Sequence, residues 1–250
     1  MKVIGLIPVR LDSKRLKNKA LLKINNLPMF IHTYKRAKLS KLLNDVIICC
    51  DDEKLIKISK KYNAKAIITS KNHKNGTERI FEAYTKIKKK YNFIIDIQGD
   101  EPLINPKHID SVINFHKLNK SADIILPSLK FKKDKNNVNI VKVIFNNEKE
   151  VIYLSRANLP YEFKKKNKYL YKHLSIISFT PSSLKLFANN QVSRLEKIEG
   201  IELLRAIDLG MKIKTKLLKG DSFSVDVKSD YLKAKKRMQF DNVAKIYNKN

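Results

Sequence analysis

The chain has 250 residues, 43% of them hydrophobic, and its 53 lysines and arginines against 24 aspartates and glutamates give a formal net charge of +29. That length allows one large domain or two small ones, and the apolar fraction is enough for a packed core. No apolar run approaches a membrane span, the start Met1–Pro8 lacks the pattern of a secretory signal, and a cytoplasmic protein is expected. Cys49 and Cys50 are adjacent in an apolar run, so their side chains point to opposite faces and they are expected as buried, reduced thiols. There is no metal-type cysteine spacing.

The charge raises the possibility of nucleic-acid binding. Against it, the lysines are spread along the whole chain, often beside asparagine, and the aromatics form no stacking series. Weak, salt-sensitive attraction to polyanions is the expectation. The composition carries a second signal: only eight of the basic residues are arginines. Where a diffuse positive charge suffices this chain uses lysine, so arginine is expected where a planar, bidentate fork is needed. Arg10, Arg15, Arg79, Arg156 and Arg205 stand in segments that look functional on other grounds.

In chain order, Val3–Val9 reads as a strand, Arg10–Lys19 as a basic loop, Pro28–Ser40 as a helix with proline near its start, Asp45–Cys50 as a strand and Asp52–Tyr62 as a helix. Ala64–Thr69 is a strand, Thr77–Lys90 a helix capped by Thr77, Phe93–Ile97 a strand and Asn105–Asn119 a helix. This β-α repetition predicts a mostly parallel, Rossmann-like sheet. After Ala122–Leu129 the pattern changes. Val141–Phe145 and Val151–Leu154 read as an antiparallel hairpin joined at Asn146-Asn147, and Leu174–Phe179 as a strand. Leu195–Leu209 reads as an amphipathic helix ending at Gly210, Lys212–Leu218 as a strand and Ser229–Tyr247 as a closing helix, with 248–250 frayed. No linker or repeat divides the chain, and one domain over 1–250 is expected.

Four segments could carry chemistry. Phe93–Pro102 runs from an apolar strand into Gln98-Gly99-Asp100-Glu101-Pro102, and the carboxyl ends of strands are where open α/β sheets build their sites. Gly99 permits close approach, and Asp100 and Glu101 offer the hard oxygens that Mg²⁺ prefers; alone, the segment also reads as an acidic turn. The loop Pro8–Lys19 gathers Arg10, Lys14, Arg15, Lys17 and Lys19 at another strand end and could wrap a polyphosphate, or be a solvated basic loop. It matches neither a Walker A loop nor a dinucleotide fingerprint. Asn75-Gly76-Thr77-Glu78-Arg79 offers helix N-terminal donors to a base, sugar or phosphate, or is an ordinary cap. Ser224-Val225-Asp226-Val227 matters only if folding brings Asp226 beside Asp100, where the two could share Mg²⁺.

These segments together with Ser155-Arg156-Ala157, Lys172-His173-Leu174 and Glu202 with Arg205 occur in one order over nearly the whole chain. The combination resembles the 3-deoxy-manno-octulosonate (Kdo) cytidylyltransferases, or CMP-Kdo synthetases. CMP-sialic acid synthetases share the start of the pattern and match the later segments less well. The resemblance implies a nucleotide-diphospho-sugar-transferase type of fold with an antiparallel dimerisation region roughly within 141–180, and a homodimer. It implies transfer of CMP from CTP to an acidic 3-deoxy sugar for lipopolysaccharide biosynthesis, with Mg²⁺ as cofactor. Arg10, Arg15 and Lys19 would hold the phosphates and stabilise the leaving pyrophosphate, and Asp100 and Asp226 would hold the metal. Pro8, Asn75, Gly76, Thr77, Arg79 and Gln98 would surround the nucleotide, while Arg156, His173 and Glu202 would bind the sugar.

Three departures stand out against the family's pattern. Lys17-Asn18-Lys19 replaces a usual Pro-Gly-Lys, and asparagine is the next-best residue to glycine at positive φ. Ile177 and Leu203 stand where a tyrosine and a glutamine of the sugar pocket are common. Losing two polar groups fits a sugar that lacks or modifies the matching hydroxyls, so 8-amino-Kdo or a sialic-acid-like sugar is the alternative substrate.

Overall fold

The computed structural model describes residues 1–13, 15–133 and 137–247. Lys14 of the basic loop and the tail 248–250, expected to fray, lie outside the described residues. The chain folds into two compact units, Met1–Ser111 with Ser222–Asn250, and Val112–Asp221.

The first unit begins with β1 (Val3–Val9), a short hairpin of β2 (Lys23–Ile24) and β3 (Leu27–Pro28), α1 (Met29–Ala37), β4 (Asp45–Cys50), α2 (Glu53–Lys61), β5 (Ala66–Ile68), α3 (Gly76–Thr85) and β6 (Phe93–Ile97), and the unit boundary falls inside α4 (Pro106–Leu118). Four of its strands form a parallel sheet in the order β5-β4-β1-β6. Every residue of β1 and of β6 is buried, as expected of parallel strands covered on both faces. The chain leaves β1 in one direction to build β4 and β5, then returns to place β6 on the other side of β1. The strand order therefore reverses between β1 and β6, and a crevice opens at their carboxyl ends. Both cysteines of β4 are buried free thiols, and burial pushes Cys50 up to about 12.

In the second unit, β7 (Ile124–Lys132), β8 (Lys142–Phe145), β9 (Val151–Ser155), β10 (Tyr169–His173) and β11 (Ile176–Phe179) precede α5 (Pro181–Ala188), α6 (Arg194–Glu199), α7 (Leu203–Asp208) and β12 (Ile213–Leu218). Here β7 is central, pairing antiparallel with β10 and β11 and parallel with β12. The hairpin expected at Asn146-Asn147 is β8–β9. The chain then returns to the first unit through α8 (Lys228–Gln239) and α9 (Asn242–Tyr247). Val225, Ala234, Met238 and Ala244 pack there on Ile24 and Met29. The Tyr231 hydroxyl donates to the Lys23 carbonyl at 2.6 Å, and Arg36 pairs with Asp241 at 2.7 Å.

The α/β class and the parallel repeat match the sequence reading; several boundaries do not. Helix α3 starts one residue earlier and is capped by Asn75, whose side chain accepts from the Glu78 amide at 2.8 Å, so Thr77 lies inside the first turn. It also stops at Thr85, before the Lys88–Lys90 run, where like charges disfavour another turn. The single helix expected over Leu195–Leu209 is two, broken at Gly200, whose φ of 62° ends α6 in the left-handed conformation. The expected closing helix is also two, because Asp241 accepts from the Ala244 amide at 2.7 Å and starts α9. Strand β10 and helix α5, the latter capped by Thr180 with Pro181 at its start, complete the second unit beyond the elements read from sequence.

At the crevice, a Cβ on Gly99 would stand 2.8 Å from Val9 Cγ2 and 3.0 Å from the Pro8 carbonyl oxygen. Only glycine lets the end of β6 lie this close to the end of β1. Gly99→Ala is therefore expected to destabilise the protein by about 1–3 kcal/mol, measured as a lowered midpoint in urea with an unchanged m-value; an unchanged midpoint would contradict the packing described.

Candidate active site

The crevice between β1 and β6 is a cavity of about 210 Å³ lined by Pro8, Arg10, Ser13, Arg15 and Lys19 from the first loop, His73 to Gly76 and Arg79 around the start of α3, Gln98 to Asp100 after β6, and Asp226. Three distant segments converge on one charge cluster. Lys19 Nζ donates to Asp100 Oδ2 at 2.7 Å and to Asp226 Oδ1 at 3.0 Å, and Arg15 Nη2 donates to the same Asp226 oxygen at 2.8 Å. Burial pulls the Lys19 ammonium down, but the two carboxylates outweigh it and hold its pKa above the ordinary value. Arg10 is exposed on the cavity wall.

Local structure explains each placement. Asn18, standing where glycine is usual, has φ 53° and ψ 32°, so it supplies the left-handed turn that delivers Lys19. Asp100 follows the glycine that seats β6 on β1, and its carbonyl accepts from the Val225 amide at 2.9 Å, which brings the neighbouring Asp226 into the cluster. Asp230, in the first turn of α8, accepts from the Asp226 and Val227 amides, each at 3.1 Å. Glu101 is 3% exposed and accepts from Ser222 at 2.5 Å, so it braces this return rather than facing the cavity.

On the opposite wall, a Cβ on Gly76 would meet Gln98 Nε2 at 3.1 Å and Pro8 at 3.2 Å, so α3 begins hard against both. Gln98 donates to the buried Asp96 at 2.8 Å, which orients its amide. Thr77 is fully buried and is not among the lining residues, unlike Asn75, Gly76 and Arg79. His73 and Lys74, which sequence reasoning passed over, also line the cavity; their position just before Asn75-Gly76 was the available signal. Glu82 holds His73 and accepts from the Ser70 amide; burial pushes its carboxyl up, but these bonds and Lys86 outweigh that and hold it at about 2.

Asp51, at the carboxyl end of β4, was also missed in the sequence. One of its oxygens accepts from the Leu11 amide at 3.0 Å and the other from Arg79 Nη2 at 3.1 Å. Arg79, 4% exposed, also donates to Thr69 and to the Ser70 carbonyl. The Asp51–Arg79 pair thus ties the basic loop to α3.

The second unit holds the remaining candidates. Arg156 donates to the carbonyls of Glu199 at 2.7 Å, Val138 at 2.7 Å and Gly200 at 3.2 Å, and its amide and the Ser155 hydroxyl donate to the Glu199 carboxylate. Buried Lys142 donates to the Arg156 carbonyl at 2.6 Å. His173 Nδ1 is out of solvent and has no partner among the described residues, and burial holds the ring at about 4, neutral at pH 7. Glu202 is half-buried just before α7, and Ile177 and Leu203 are each 2% exposed in the apolar core. Arg205 grips Glu196 with both arms, at 2.7 and 2.8 Å.

Asp100 and Asp226 form a donor set that fits Mg²⁺, which takes one or two carboxylates and completes its shell with substrate phosphates and water. Among the described residues no larger group of metal-ligating side chains gathers. A parallel sheet with a cationic crevice at its switch point, a glycine-started helix facing it and two carboxylates within it define a nucleotide-binding α/β enzyme of the nucleotidyltransferase class. A family model described as cytidylyltransferase matches residues 4–213. The 3-deoxy-manno-octulosonate cytidylyltransferase of Thermodesulfovibrio yellowstonii is 38% identical, covering 94% of this chain and 98% of its own. The 8-amino-3,8-dideoxy-manno-octulosonate cytidylyltransferase of Shewanella oneidensis is 34% identical, covering 96% of this chain and all of its own. A solved CMP:2-keto-3-deoxy-manno-octonic acid synthetase complexed with CTP superposes with a TM-score of 0.91 at 26% identity, covering 96% of this chain and 99% of that one. The chain belongs to the 3-deoxy-manno-octulosonate cytidylyltransferase family, enzymes that use CTP to activate Kdo-type sugars. None of its described helices is long and apolar enough to cross a membrane.

Asp51→Ala should release the Leu11 amide and leave Arg79 without its carboxylate. Steady-state kinetics should show a KM for CTP raised roughly tenfold with a smaller change in kcat, and Asp51→Asn, which keeps an acceptor for Leu11, should recover part of the loss. Unchanged CTP kinetics in Asp51→Ala would remove this residue from loop positioning.

Proposed function

We propose that this protein, as one cytidylyltransferase domain over 1–250, transfers CMP from CTP to the anomeric hydroxyl of Kdo, releasing pyrophosphate, as a Mg²⁺-dependent cytoplasmic step of lipopolysaccharide biosynthesis. The observation that carries the reading is the convergence of Arg10, Arg15, Lys19, Asp100 and Asp226 on one cavity. The chemical difficulty is charge: an anionic sugar must approach a polyanionic triphosphate, and pyrophosphate must leave. Positioning and electrostatic stabilisation therefore dominate. Arg10 is exposed on the wall and so available to a phosphate, and Arg15 and Lys19 neutralise charge growing on the leaving pyrophosphate. Bound between Asp100 and Asp226, Mg²⁺ would supply Lewis-acid polarisation of the reacting phosphoryl group and the attacking hydroxyl. Gln98, held by Asp96, and the backbone at Asn75-Gly76 meet the nucleoside, with Arg79 and Thr77 supporting the start of α3.

For the sugar, Arg156 retains two N–H groups beyond the three given to carbonyls, enough for a carboxylate. Neutral His173 offers Nδ1 to a hydroxyl, and the half-buried Glu202 carboxylate accepts from others. A second reading, 8-amino-Kdo as substrate, is favoured by the apolar Ile177 and Leu203 and by the 34% identical 8-amino-3,8-dideoxy-manno-octulosonate cytidylyltransferase.

The test is a panel of Kdo, 8-amino-Kdo and sialic acid with CTP, read as pyrophosphate release with and without Mg²⁺. Mg²⁺-dependent release with Kdo preferred by kcat/KM is the expected outcome. No release with any of the three would end the proposal, and preference for the amino sugar would select the second reading. Leu203→Gln and Ile177→Tyr should shift the preference; identical ratios in both variants would take these positions out of sugar selection.

The homodimer is proposed to form through the antiparallel region within 141–180, where Ile152, Tyr161 and Phe163 leave large apolar surfaces exposed. Light scattering after size exclusion should give twice the chain mass for wild type and a shift toward monomer for Ile152→Asp with Phe163→Asp. A monomeric wild type at micromolar concentration would refute it.

A further inference from the structure

The Asp100–Asp226 pair already has a cation. Lys19 Nζ bridges the two carboxylates at 2.7 and 3.0 Å, with its side chain only 17% exposed, and Arg15 holds the same Asp226 oxygen at 2.8 Å. Two negative charges face two positive ones, and the cluster is neutral as it stands. A divalent cation that took the same carboxylate oxygens would leave the ammonium and guanidinium crowded against it, a like-charge arrangement that a partly buried site penalises. We propose that Lys19 is a displaceable counter-ion. The carboxylate pair accepts a divalent cation well only when a triphosphate draws Lys19 and Arg15 away, so nucleotide and metal bind as a coupled pair.

The parts suit such an exchange. Lys19 carries its charge on a flexible four-carbon stem and sits in a short 3₁₀ turn after the left-handed Asn18. The Arg15 side chain is 57% exposed and free to swing. The two carboxylates are less movable, since the Asp100 carbonyl is tied to the Val225 amide and the Asp226 amide to Asp230. The cations can therefore leave for phosphate oxygens while the acids stay. Once they have left, a net charge of minus two remains, which one divalent ion cancels. Linkage requires the reciprocal effect: the metal, by holding the carboxylates, frees Lys19 and Arg15 for phosphate and tightens nucleotide binding.

This rests on the reading of the cavity as a nucleotide and metal site, and the experiment separates the two ideas. Mn²⁺ is titrated into nucleotide-free protein and the free ion followed by electron paramagnetic resonance, so no turnover is involved. Wild type should bind Mn²⁺ weakly. Lys19→Met should bind it roughly tenfold tighter or more, because a competing unit charge is gone. Arg15→Gln, altered at an exposed side chain that leaves the core untouched, should tighten it to a smaller degree, and Lys19→Arg should stay weak. Adding Asp100→Asn to Lys19→Met should abolish the gain. If both single variants bind Mn²⁺ no better than wild type while Asp100→Asn removes what binding exists, the counter-ion role fails and the metal site stands. If Asp100→Asn has no effect in the Lys19→Met background, or no protein binds Mn²⁺, the metal reading fails and this inference with it.

Discussion

Two ionised carboxylates side by side in a half-buried crevice repel each other, and a cation between them relieves that repulsion. In this molecule the ammonium of Lys19 meets Asp100 and Asp226 together. That contact draws on a loop after β1, the turn after β6 and the segment leading into α8. Each of these has a local reason for being where it is: the left-handed Asn18 turns the loop, Gly99 seats one strand end on another, and the Val225 amide ties the returning chain to Asp100. The proposed chemistry, bringing anions together at a triphosphate, would need a site whose acids are rigid and whose bases can move. The backbone ties on the acids and the long side chains of the bases meet that need.

The crevice follows from topology. Strands β4 and β5 build away from β1 on one side and β6 on the other, so the ends of β1 and β6 have no covering crossover between them. The basic loop and the Gln98–Asp100 turn thus become neighbours, although they are far apart in sequence. Asp51, at the end of β4, fastens the loop from the third side through the Leu11 amide and Arg79.

The arginines repay closer reading. In a lysine-rich chain, arginine was expected where a planar fork is needed, and Arg36, Arg79, Arg156 and Arg205 each use several N–H groups at once, whereas Arg15 makes a single contact to Asp226. The need for a fork is not the same as a place in the chemistry. Arg79 is committed to Asp51, Thr69 and Ser70, and Arg205 to Glu196, where both are nearly inaccessible. Arg36, which no sequence motif singled out, bridges Asp241 and the carbonyls of Leu103 and Ile104 in the same manner. Of the five arginines singled out in the sequence, Arg10 and Arg15 are the exposed ones, and they line the cavity.

The sequence by itself determined the strands of the parallel sheet, because β-branched apolar runs such as Phe93–Ile97 have few alternative conformations, and Val3–Val9 and Asp45–Cys50 were legible to the residue for the same reason. It also determined the family, through residue types whose chemistry and order are specific, and it allowed, without fixing, the left-handed turn that Asn18 adopts. It did not determine where helices break, since Gly200 and Asp241 interrupt apolar patterns that continue across them. Nor did it reveal that Asn75 rather than Thr77 caps α3, because either side chain can cap and only the backbone conformation decides. Asp51 was invisible for a related reason: an acid after a strand acquires a role only when a distant amide and a distant arginine reach it. Above all, only the tertiary structure placed Asp226 beside Asp100. That proximity is set by the burial of Val225 and the packing of α8 and α9 on Ile24 and Met29, a long-range apolar effect with no local signature.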